Sequence, residues 1–169
     1  MSTSPLMTVF DLVGGLPVHP LVVHVAVIVL PVAGLALIVV MCLPRAPRWV
    51  RWSVVAALAV GAASTWVAAE SGEELSDRVG EASVHEELGE DLPPIAAITL
   101  ALGVLWAMVV ELSARAVAKA STSVPSRALL WLRVAVSVGA AIAAGIAIWF
   151  TVRVGHSGAV ASWQERVGG

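Results

Sequence analysis

Four apolar runs set the limits on what this chain can fold into. They span about Pro20 to Leu43, Trp52 to Ala69, Leu92 to Leu112 and Ala128 to Val152. Each is close to the ~20 residues a helix needs to cross the hydrocarbon of a bilayer. The residues between them do not dilute this character. The whole chain is 59% hydrophobic and 13% charged, with a mean hydropathy of +0.91. That balance excludes an ordinary soluble domain. Four spanning helices with short connections predict an all-α fold, an integral membrane four-helix antiparallel bundle. We read residues 1–169 as one transmembrane domain.

The charges orient it. Arg45, Arg48 and Arg51 lie in the first connection, and Arg115, Lys119 and Arg127 in the third, with Arg133 at the start of span four. The other side carries only Arg78, Arg153 and Arg166. The positive-inside rule places both basic linkers in the cytoplasm, so both termini and the segment Glu70 to Asp91 face outward from the inner (plasma) membrane. Trp49, Trp52 and Trp131 fall near the inner interface, and Trp66 and Trp149 near the outer one, as an aromatic belt would. The start of the chain lacks a basic region and a small-residue cleavage site, so no cleaved signal peptide is expected. Cys42, the single cysteine, lies in apolar sequence and reads as a small buried hydrophobe. Ala57-xxx-Gly61, Ala59-xxx-Ala63, Gly139-xxx-Ala143 and Ala141-xxx-Gly145 have the spacing that lets helices approach closely.

Function is sought at the outer end. The central turns of the spans hold no Asp, Glu, Lys, Arg or His, which disfavours a channel, pump or ion-coupled carrier. All four histidines are on the outer side: His19 and His24 at the mouth of span one, His85 in the outer segment, and His156 after span four. An ionisable side chain at a span's mouth is costly enough to suggest function. Pro20 predicts that His19 stands just outside the helix, with His24 roughly 6 Å deeper. Glu70 to Asp91 holds nine of the chain's twelve acids and one base. Ser71-Gly-Glu-Glu74 and Ser83-Val-His-Glu86 match the capping box, and Gly80 and Gly89 are suitable stops. Two short interfacial helices are therefore expected on the bundle's outer end, with His85 in the first turn of the second. Beyond span four, the glycines flanking His156 permit a turn that folds it back over the mouth.

Three readings of the outer segment compete: a solvated loop, a metal site, and a dock for a basic partner. Gly-Leu-Pro-x-His-Pro-Leu-x-x-His at 15–24, Ser-Gly-Glu-Glu with a later His-Glu, and Gly-His-x-Gly at 155–158 together resemble the bacterial membrane family called domain of unknown function 2231. The resemblance covers about Gly15 to Val160. Where the family continues with a tyrosine-containing stretch, this chain has no tyrosine and carries Val160 and Trp163. Some family members are similar to domains found beside cytochrome-like modules, which implies redox or haem chemistry.

The first functional expectation is a binding or redox module at the outer face. His19, His24, His85 and His156 would surround a transition metal, with Glu70, Glu73, Glu74, Glu81 and Glu86 as further ligands or supports. For haem b, His24 with His156 or His85 would be the axial pair and Arg153 would meet a propionate. The second is a non-catalytic accessory or scaffold protein that docks a partner through its acidic outer segment. The third, a metal-dependent membrane enzyme, lacks any nucleophile elbow, phosphate loop or protease motif. The expected partners are the lipid bilayer and a basic or redox protein, and no nucleic acid.

Overall fold

The computed structural model describes the backbone of residues 12–13, 16–79, 84–120 and 126–167, and the side chains of 21–72, 88–119 and 126–160. A two-residue antiparallel ladder pairs β1 (Leu12–Val13) with β2 (Leu16–Pro17) in the register Leu12↔Pro17 and Val13↔Leu16. Four helices follow: α1 (Val18–Met41), α2 (Arg48–Val79), α3 (Val84–Ala120) and α4 (Arg127–Val167). Each packs on its neighbours in chain order and α4 closes on α1, while α1 and α3 barely meet across the diagonal. The result is a four-helix bundle in which the α1–α4 seam lies opposite the α2–α3 seam.

All four helices are long and apolar enough to cross a membrane, over Leu21–Met41, Arg48–Gly72, Leu88–Lys119 and Arg127–Val160. Only 28% to 33% of each apolar window is buried inside the bundle. The apolar residues that remain face outward, among them Leu21, Ile28, Val32 and Leu35 of α1 and Val138, Ile142 and Ile146 of α4. A helix apolar on all sides needs lipid around it. The chain is a multi-pass helical membrane protein.

Lipid is as apolar as a leucine, so the helices are held by close packing rather than by the hydrophobic effect. The centre alternates large and small. Leu30 and Leu37 of α1, Leu58 of α2 and Trp106 of α3 meet Ala96, Ala140, Ala144 and Ala147. Leu58 and Leu37 both reach Gly103 of α3, at 3.0 and 3.6 Å from where a Cβ would stand. The tightest approach is Gly61 of α2 against α1, where a Cβ would lie 2.9 Å from Leu30 Cα. The expected small-residue pair Ala57–Gly61 is thus used. In α4, by contrast, Gly139 and Gly145 face open space, and Ala140, Ala143, Ala144 and Ala147 carry the contact. Buried hydroxyls are tied back to their own helices, Thr65 to Ala62 O, Thr151 to Ala147 O and Ser113 to Val109 O. Thr99 donates to Ile95 O at 2.8 Å and also stands 3.2 Å from Ala143 O on α4.

Several expected ends move. His19 is inside α1, which begins at Val18, because Pro20 falls in the first turn, where no helical N–H bond is required. The two short interfacial helices are instead extensions of α2 to Val79 and of α3 from Val84. Gly89 does not stop a helix, and Pro93-Pro94 lie within α3 rather than opening it. His85 is in the first turn of α3, as expected. Most of the third connection is helix, since α3 runs to Ala120. The helix also continues through Gly155-His-Ser-Gly158, so His156 does not fold back. Cys42 lies just past the end of α1 and is exposed, not buried.

At its start α4 is capped: Leu129 N–H donates to Ser126 Oγ at 3.4 Å. The packing yields a paired prediction. Gly61→Ala forces α1 and α2 apart and is expected to lower stability by ~1–3 kcal/mol. Gly139→Ala meets nothing and is expected to be neutral or to stabilise by up to ~1 kcal/mol, through helix propensity. Thermal unfolding in mild detergent, followed by circular dichroism, measures both.

Candidate functional site

At the acidic end two histidines come to one level. Gly155 of α4 lies against α1, where an added Cβ would be 3.7 Å from Val27 Cγ1. His24 is three residues from Val27 and His156 is adjacent to Gly155, both displaced toward the acidic end. At ~1.5 Å per residue their heights on neighbouring helices agree to within ~3 Å. Both are exposed on the outer surface rather than turned into the bundle. Arg153 is exposed too, and its guanidinium lies over the Trp149 ring at 5.1 Å from the centroid, a cation–π contact. Trp149 in turn meets Phe150 edge-on, with centroids 5.0 Å apart.

Of the remaining sequence candidates only Glu70 has a described side chain. Glu70 is exposed on α2, which does not border the α1–α4 seam. His19, Glu73, Glu74, His85 and Glu86 are on helical backbone, but their side chains lie outside the described residues, and Glu81 lies outside them altogether. Among the described residues no group of three or more His, Cys, Asp or Glu is placed to hold a metal. Of the axial pairs expected for a haem, His24 and His156 both face outward, and the side chain of His85 lies outside the described residues. The groove between α2 and α3 is on the opposite side of the bundle.

The best-organised polar cluster is at the basic end. Glu111 of α3, with its side chain 17% exposed, sits among three arginines. Its Oε1 accepts from Arg115 Nη2 at 3.1 Å. Its Oε2 is 3.3 Å from Arg48 Nε and 4.0 Å from Arg51 Nη2, both on α2. Arg51, only 14% exposed, also donates from Nη1 to Ala46 O at 2.6 Å, which fastens the α1–α2 connection to α3. Three guanidiniums against one carboxylate leave two positive charges. The buried atoms Arg51 Nε, Trp52 Nε1 and Glu111 Oε2 have no hydrogen-bond partner. This cluster holds charge and donates hydrogen bonds. Part of it is legible in the sequence, where Glu111 and Arg115 have the i, i+4 spacing of a helical ion pair. The convergence of Arg48 and Arg51 on them needs the tertiary fold.

The chain matches no family model, no curated protein and no solved structure. Its resemblance to the family of unknown function rests on its motifs alone.

Glu111 is expected to matter to stability far more than the arginines at its rim. Glu111→Gln leaves Arg51 half-buried without its counter-charge and should cost ~1–3 kcal/mol. Arg48→Gln removes a mostly exposed partner and should stay within ~0.5 kcal/mol. Chemical or thermal unfolding of both variants in the same detergent separates the two.

Proposed function

We propose that the chain is a non-catalytic membrane accessory protein that docks a basic soluble partner, of the kind a redox protein would be, at its acidic end. The observation that carries this is the continuation of α2 and α3 as helices past the apolar runs that end at Ala69 and begin at Leu92. A helix of 37 residues is ~55 Å long, against ~30 Å of hydrocarbon. The excess carries the acidic segment, in which Glu70, Glu90 and Asp91 are exposed. Acids on helix make a fixed field rather than a fluctuating one, and such a field steers an oppositely charged partner. With the basic linkers in the cytoplasm, this end is extracytoplasmic at the plasma membrane. The experiment is photo-crosslinking from position 88 in native membranes. The crosslinked species should fall several-fold at raised salt and in the Glu70→Gln/Glu90→Gln/Asp91→Asn variant. A yield indifferent to both would defeat the docking reading.

A second reading is favoured by the level pairing of His24 and His156. Two imidazoles on adjacent helices, completed by His19, His85 or a carboxylate of Glu73, Glu74, Glu81 or Glu86, suit a transition metal. On this reading the purified protein carries stoichiometric metal without a Soret band, and His24→Ala and His156→Ala each lose it. Equal metal content in wild type and both variants rules it out.

A further inference from the structure

We propose that the α2–α3 seam holds an anionic phospholipid, with its phosphate on the arginine cluster and an acyl chain in the groove beside it. Two independent features meet on this seam. The first is an apolar groove of about 700 Å3 open to the bilayer. Ala59, Ala62 and Trp66 line it from α2, and Ala101, Val104 and Met108 from α3. The second is the cluster of Arg48, Arg51 and Arg115 around Glu111, with its surplus of two positive charges.

The two lie on the same stripes. On α3 the groove positions 97, 101, 104 and 108 continue at the same alternating spacing of four and three to Glu111 and Arg115. On α2 the positions 66, 62 and 59 continue through 55 to Trp52 and Arg48. Residues so spaced share one face of a helix. The groove therefore points, at its basic end, toward the arginine cluster, with Glu111 ~5 Å beyond Met108 along α3. From Ala97 to Met108 it extends ~16 Å along α3, close to the ~15 Å depth of one leaflet's hydrocarbon.

The chemistry selects the ligand. The alanines remove side chains where an acyl chain would lie, and Trp66, 54% exposed, walls the groove toward the acidic half. Beyond its basic end, Arg48 and Arg115 have side chains 66% and 67% exposed and so available to a phosphate. The buried donors Arg51 Nε and Trp52 Nε1 lack acceptors. Guanidinium groups match phosphate oxygens in bidentate geometry. A zwitterionic headgroup would bring an ammonium against this surplus of positive charge, whereas a singly or doubly anionic phospholipid neutralises it. A free phosphate shares the headgroup chemistry but leaves the groove unused.

The test titrates delipidated protein in detergent with phosphatidylglycerol, phosphatidylcholine and inorganic phosphate, read by native mass spectrometry. Wild type should retain phosphatidylglycerol in clear preference to phosphatidylcholine. Arg48→Gln/Arg115→Gln should weaken that retention roughly tenfold. Ala101→Phe, which fills the groove, should weaken phosphatidylglycerol while leaving inorganic phosphate unchanged. Equal retention of the two lipids, or full retention by the arginine variant, overturns the proposal. So does inorganic phosphate binding as tightly as the lipid with no effect of Ala101→Phe, which would mark a free-anion site. Should the arginine variant fail to fold, Ala101→Phe decides alone: loss of phosphatidylglycerol supports the lipid site and retention overturns it.

Discussion

Hydrocarbon offers no hydrogen-bond partner, and this one constraint governs the rest of the molecule. Every backbone N–H and C=O at membrane depth must be satisfied within its own segment, so the apolar runs are helices. The same constraint explains the buried hydroxyls. Thr65, Thr151 and Ser113 donate to carbonyls of their own helices, and Thr99 bridges toward α4. With no hydrophobic drive between helices, the bundle then depends on how nearly backbones can approach. Gly61 against Leu30 is the point where that approach admits no side chain at all. Gly103, beneath Leu58 and Leu37, performs the same service at the centre, where α1 would otherwise be out of reach of α3.

The same physics decides what could be read from sequence. Four spans and their order were legible because apolar length has no other solution in lipid. The ends were not. Gly89 and the glycines around His156 look like stops, but a glycine in a helix costs only ~1 kcal/mol. Neighbouring helices that extend side by side can offset that locally. Pro93-Pro94 look like a start. Within α3, Pro93 removes a bond to the carbonyl of residue 89, near the start of the apolar run at Leu92. Helices near lipid tolerate such losses where other groups can serve the freed carbonyl. Local signals of stop and start were thus outweighed by continuity of the helix.

The candidate sites divide in a similar way. That all four histidines share one side follows from counting spans. That His24 and His156 occupy adjacent helices at one level follows only from α4 closing on α1, and that closure is a tertiary fact. Whether a histidine faces in or out also escapes sequence here, because helices apolar on every side have no polar face to betray their orientation. Small-residue spacing misleads for the same reason. Gly139 and Gly145 each stand four residues from an alanine, but a Cβ at either would meet no neighbouring helix.

Charge separates the two ends by more than sign. At the basic end the single acid, Glu111, is surrounded, so its arginines are positioned by it and still carry excess charge outward. A buried ion pair adds little to stability when weighed against desolvation, but it fixes geometry. Here it fixes guanidiniums beyond the basic end of an apolar groove, an arrangement that bulk lipid adhesion would not require. At the acidic end no comparable knot forms among the described residues. Arg153 is engaged by the face of Trp149 and not by a carboxylate. The exposed acids Glu70, Glu90 and Asp91 keep their charge for whatever approaches from water. Between the ends, the described core has hydroxyls bonded to carbonyls and no ionisable side chain. The bundle thus holds two differently charged ends apart along its length.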